Sequence, residues 1–168
     1  MESQAYHMTS GAGSNEEDNR IRVREDRMIA RALQILQKRA SLPGEVLGGA
    51  TQGALFFRLR LGGEDREHFE VAFLNTQFQL IAVERPFSGT IDAAEVHPRI
   101  VVQRALAHNA SAVLMAHNHP SGSLQPSTSD RAVTARLKAA LDNVDVRLLD
   151  HFVVTSREVV SMASQGMV

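Results

Sequence analysis

The segment His117-Asn118-His119-Pro120, followed eleven residues after His119 by Asp130, carries the residue types from which metal sites are built. Alternate positions of a strand share a face, so His117 and His119 can point the same way. A loop with Pro120, Gly122 and Pro126 that returns to a helix start brings position 130 back beside them. Two imidazoles and a carboxylate suit zinc. Three protein ligands leave a fourth position for water, the arrangement of a catalytic rather than a closed structural site. The same residues have a reading without metal. Ser127-Thr128-Ser129-Asp130 is an N-terminal capping box with Asp in place of the usual Glu, and an acid in the first helical turn is favourable by itself. His117 could equally bond a backbone carbonyl. Spacing alone leaves both readings open.

The elements that must position these residues follow from composition and pattern. Of the 168 residues 43% are hydrophobic and 22% charged, a globular composition large enough for one core. There is no Trp, one Tyr and seven Phe, so that core is mainly aliphatic. No cysteine is present, which excludes disulfides, a thiol nucleophile, Fe–S clusters and any cysteine-ligated zinc, including a deaminase triad. Eighteen basic and nineteen acidic residues leave a net charge of −1, weak support for a nucleic-acid partner. No apolar run is long enough to span a membrane and no signal-peptide pattern opens the chain, which therefore reads as cytoplasmic.

Residues 1–20 are small and polar and read as a disordered tail, and 21–46 as an N-terminal helical segment, the helix itself over about 24–40 with Ile29, Ala32, Leu33 and Leu36 on one face. Three β-like runs follow, over 54–61, 68–74 and 79–84, and are expected to form an antiparallel meander. Arg58, Arg60 and Arg66 then belong to a solvated sheet face rather than a nucleic-acid patch. Pro98 opens a helix over about 98–109, with Val101, Val102, Ala105 and Leu106 inward. The continuously apolar run 110–116 suits a central strand covered on both faces. A helix over about 127–143 and short strands near 145–149, 151–155 and 158–162 complete an α/β chain: a mixed sheet flanked by helices.

His-x-His-Pro followed by Ser-x-x-Asp resembles the JAMM motif of MPN-domain metallohydrolases. FSGTIDAAEVHPR (87–99), ALAHNASAVLMAHNHPSG (105–122), PSTSD (126–130) and LLDHFVV (148–154) resemble the RadC-type branch of that superfamily. The resemblance covers about 50–168 and makes 47–168 a JAB/MPN domain of cytidine-deaminase-like α/β/α fold with one zinc. It implies His117, His119 and Asp130 as ligands and Ser127 as a hydrogen-bonding residue near the metal. The family's catalytic glutamate lies upstream, and Glu84 stands at the matching place. There, at a strand end, partial burial is expected to raise its pKa toward proton-shuttle work. Glu95 is the rival. The helix-hairpin-helix of longer family members has no recognisable counterpart here, so DNA binding through it is not carried over.

These features together predict a zinc-dependent JAMM-type hydrolase cleaving peptide or isopeptide bonds. Zinc would polarise a water, Glu84 would move its proton and Ser127 would stabilise the oxyanion. The implied partner is a protein or peptide substrate. A non-catalytic metal-binding MPN scaffold and an accessory protein of DNA repair are the alternatives. His151, in Asp150-His151, is either a residue behind the metal ligands or a satisfied core histidine, whereas His7, His68, His97 and His108 read as surface or capping residues.

Overall fold

The computed structural model of the protein describes residues 12–40, 46–88 and 96–168. The chain divides into two compact units, Met1–Leu36 and Gln37–Val168. The first is helical: α1 spans Ala12–Ala40, beginning well before the expected start near residue 24. Residues 12–20 are therefore helix and not tail, and the first eleven residues lie outside those described. Ala32, Leu33 and Leu36 are half-buried as their spacing suggests, while Ile29 is exposed.

After the end of α1, the second unit continues with α2 (Ala50–Leu61), where the alternating pattern predicts a strand. That expectation is overturned because the segment fits two periods. Gly53, Phe56, Phe57 and Leu61 are the buried positions, at helical spacing, and Leu55, inward in the strand reading, is exposed. Short apolar runs carry this ambiguity, and packing decides it. Arg58 and Arg60 sit in the last turn, where cations complement the helix dipole. Arg60 is consequently not on a sheet face. It donates to the fully buried Glu70 carboxylate from Nε at 2.6 Å, and Arg85 donates to the same group at 3.1 Å.

β1 (His68–Leu74) and β2 (Leu80–Ser88) form an antiparallel hairpin in place of the expected three-strand meander. Its turn is held by Asn75 Oδ1, which accepts from the backbone N–H of Gln77 and of Gln79, each at 2.9 Å. Then come α3 (Pro98–Ala107), β3 (Ala112–Asn118), α4 (Thr128–Asp142), β4 (Arg147–Val154), β5 (Val159–Ser161) and a 3₁₀ turn, Ala163–Gln165. The two strands expected over 145–155 are one strand, β4. The sheet order is β2-β1-β3-β4-β5, with β3 and β4 parallel and every other pair antiparallel.

This mixed five-stranded sheet has a helical layer on each face. Phe69, Val71, Phe73, Val113, Met115 and Leu148 pack with α3 and α4 through Val101, Ala105, Leu137 and Leu141. Ala72, Leu74, Leu114, Ala116, Phe152 and Val154 pack with α2 through Phe56, Phe57 and Leu61. β3, in the centre, is buried at all seven positions. Among the described residues no helix is long and apolar enough to cross a membrane.

Gly53 marks the closest approach of α2 to the sheet, since a Cβ there would lie 2.8 Å from the buried Phe152 ring. Overpacking costs about 1–3 kcal/mol, against roughly 1 kcal/mol gained by replacing a helical glycine with alanine. Gly53→Ala should therefore unfold at a lower temperature than wild type in a thermal melt. Gly63→Ala, which meets nothing within 4 Å, should not.

Candidate metal centre

His117 is the penultimate residue of β3, on the same face as Met115 and fully buried. His119 follows just beyond the strand, where its N–H donates to the Val154 carbonyl at 2.8 Å and extends the β3–β4 ladder by one bond. Its ring Nδ1 lies 2.8 Å from the Ser123 carbonyl. A carbonyl only accepts, so Nδ1 carries the proton and Nε2 of the neutral ring presents a lone pair.

The turn of Pro120–Pro126 then delivers α4, whose N-cap is Ser127. Ser127 Oγ accepts from the Asp130 N–H at 3.0 Å, and Asp130 Oδ2 accepts from the Ser127 N–H at 2.7 Å. The capping box expected from sequence is therefore present. It does not displace the ligand reading, because Asp130 Oδ1 faces His117 Nε2 at 3.3 Å and Oδ2 faces His119 Nε2 at 3.6 Å. Capping is what aims this carboxylate.

The three side chains form a group whose ligand atoms all lie within 4.8 Å of one another, the two Nε2 atoms 3.0 Å apart. Two ring nitrogens and a carboxylate converging in a buried pocket are an unfavourable arrangement unless a cation or proton sits among them, and the donor set fits a metal ion. Burial pushes the Asp130 carboxyl up, but its contacts with His117 and His119 outweigh it and hold the group well below the usual carboxylate range. His119 is pushed up, chiefly by its contact with Asp130 and against burial, with the Ser123 carbonyl and the charges of Asp130 and Glu67 adding to the effect.

Glu84 is not brought to this group. It pairs with Val71, which pairs with Met115, so it lies two strands away from β3. Arg104 Nε donates to it at 2.7 Å, the Arg104 Nη2 donates to its other oxygen, and His108 Nε2 lies at 2.6 Å. Sequence reasoning expects a raised pKa. The Arg104 bonds instead hold the carboxyl down at about 2, so it is a structural anchor for α3 and a poor base. Glu95 lies outside the described residues.

The acid that does face the site is Glu67, which sequence reasoning passes over. Phe69 pairs with His117 across β1 and β3, and continuing that register by two residues sets Glu67 against His119. The same parity that puts Phe69 on the His117 face puts Glu67 there, half-buried, and its charge reaches His119. The missed signal is the alternation of β1 carried one step before its first residue. His97 and His108 stand at the two ends of α3, but the His97 side chain makes no capping bond and the His108 ring is turned to Glu84.

A RadC-like JAB domain model matches residues 49–167. The chain belongs to the RadC-like JAB domain family. It is 46% identical over 143 residues to the UPF0758 protein YeeS of Escherichia coli K12, covering 85% of this chain and 97% of that one. It is 52% identical over 125 residues to a UPF0758 protein of Xanthomonas campestris and 55% over 112 residues to one of Polaromonas, covering 74% and 67% of this chain. The matches take in 56% and 50% of those two relatives, so the chain spans about half their length.

Glu84 gives a pH test of its assignment. Its folded pKa of about 2 lies below the ordinary 4.5, so the stability it contributes is complete above the ordinary value and is lost as pH falls toward 2. Glu84→Gln should lower unfolding free energy by about 1 kcal/mol at pH 7, the order of a well-formed surface pair. In denaturant titrations the gap from wild type should close between pH 4.5 and 2.

Proposed function

We propose that the protein is a zinc-dependent hydrolase of the JAMM type, with His117, His119 and Asp130 as ligands, acting on amide bonds of peptide or isopeptide substrates. The observation that carries this reading is the convergence of three ligand atoms within 4.8 Å, with the charge of a second carboxylate, Glu67, reaching one of the ligands. Bound zinc would supply Lewis-acid polarisation and ease the deprotonation of water at neutral pH.

The chain's own residues divide the remaining work. Glu67 is half-buried and its charge reaches His119, which makes its carboxylate the group to take a proton from the attacking water and return it to the leaving amine. Ser127 uses a lone pair to cap α4, and its exposed hydroxyl, beside the Asp130 carboxylate, would turn its O–H to an oxyanion. His119 is held by Ser123 and Val154, and Asp130 by the helix cap, so the ligands are set by backbone elements and not by flexible loops alone. Family membership supports the same chemistry.

Glutamine at position 67 is nearly isosteric with glutamate and cannot accept the proton. Glu67→Gln should retain wild-type zinc content while amide cleavage on a peptide and isopeptide panel falls by about 10²–10⁴-fold. Glu84→Gln should cleave at close to the wild-type rate. Normal cleavage by Glu67→Gln and loss by Glu84→Gln would reverse the assignment. Absence of cleavage by a zinc-loaded wild type would favour the non-catalytic scaffold.

A further inference from the structure

Behind the ligand group lies a fully buried histidine that the proposed chemistry does not use. His151 is 1% exposed and packs edge-on against Phe69, with ring centroids 5.5 Å apart. Its two ring nitrogens face His117 Nδ1 and Thr134 Oγ1, and an imidazole this deeply buried with no carboxylate in hydrogen-bond contact is carried as the neutral ring. Its presence on this face depends on an irregularity in β4. Val113 pairs with Leu148 but Leu114 pairs with Asp150, which makes Leu149 an extra residue. An unbroken ladder would set residue 151 against Ala116, on the α2 face. The bulge sets His151 against Met115 and turns its ring toward His117. Asp150 pins the distorted strand, accepting from the His151 N–H at 2.7 Å, the Ser161 hydroxyl at 2.6 Å and the Ala163 N–H at 3.0 Å.

The protons along the resulting chain have one consistent direction. Thr134 Oγ1 donates to the Asp130 backbone carbonyl at 2.6 Å, which uses its only hydrogen. Facing His151 Nδ1 at 2.6 Å, the same oxygen must accept, so His151 carries its proton on Nδ1. Its Nε2 is then a lone pair, 2.8 Å from His117 Nδ1, and His117 donates to it. The proton of His117 is thereby fixed on Nδ1, and its Nε2 lone pair points at His119 and Asp130. The chain starts at the backbone of one ligand, Asp130, and ends on the ring of another.

We propose that His151 and Thr134 are positioning residues for the metal centre, a hydrogen-bond relay that selects the metal-binding tautomer of His117 and fixes its ring. The inference rests on the zinc reading above, and its test separates the two. Partners of this kind typically change metal affinity by about 10–100-fold when removed.

The test combines zinc affinity, by competition with a chromogenic chelator, with ¹H–¹⁵N NMR of the histidine rings in metal-free protein. Metal-free wild type should show His117 protonated at Nδ1. His151→Phe should fold and bind zinc about 10–100-fold more weakly, and His151→Gln, whose amide can accept from His117 and donate to Thr134, should recover most of the loss. Thr134→Val should weaken zinc binding and introduce Nε2-protonated His117, a signature that loss of packing alone would not produce. His117 protonated at Nε2 in metal-free wild type, or a folded His151→Phe with wild-type zinc affinity, would overturn the relay. If His151→Phe does not fold, the wild-type and Thr134→Val spectra decide. A wild type that binds no zinc yet shows the Nδ1 tautomer would sink the zinc reading while upholding the relay.

Discussion

β3 is gripped on one side by antiparallel β1 and on the other by parallel β4, and the registers of those two ladders decide which side chains can meet. Side chains alternate across a sheet, so a shift of one residue would turn His117 toward α2 and leave an imidazole among Ala72, Ala116 and Phe152. The apolar clusters on both faces oppose such a shift, since it would expose or misplace both sets at once. The β1 register, carried two residues past Phe69, points Glu67 toward His119, where its charge is felt. The β4 register, with its bulge, brings His151 behind His117. One strand's placement thus assembles groups from three separate parts of the chain.

The second constraint is economy at the start of α4. Asp130 Oδ2 both caps the helix and faces His119, while Oδ1 faces His117. The helix N-terminus and its N–H groups favour the charged form, while burial opposes it. The histidine contacts settle the balance toward the carboxylate. Stability and ligand geometry are carried by the same hydrogen bonds, so substitutions at Ser127 or Asp130 act on both.

What the sequence makes legible is what lies close along the chain. His117, His119, Ser127 and Asp130 fall within one short loop-and-cap segment, and local rules for strand alternation and capping place them correctly. Glu84 and Glu67 show the opposite case. Both are acids beside apolar β runs, Glu67 just before β1 and Glu84 in the middle of β2, and only the order and pairing of the strands tells them apart; local sequence holds no record of that pairing. The bulge at Leu149 is equally invisible, because Leu148-Leu149-Asp150-His151 reads as ordinary strand. The helix α2 was hidden for a different reason. Its twelve residues satisfy period two nearly as well as period 3.6, and burial of Phe56 beside Phe57 is a tertiary outcome.

Everything proposed for this site depends on whether the converging ligand atoms hold a metal. Elemental mass spectrometry of protein purified without metal-affinity steps, wild type beside Asp130→Asn, measures this directly. Asparagine keeps an oxygen able to accept from the Ser127 N–H, so the helix cap survives while the ligand charge is lost. About one zinc per chain in wild type and a small fraction of that in Asp130→Asn is the expected result for a three-ligand site. Equal zinc in both proteins, or a folded wild type without metal even after zinc is supplied, would contradict it.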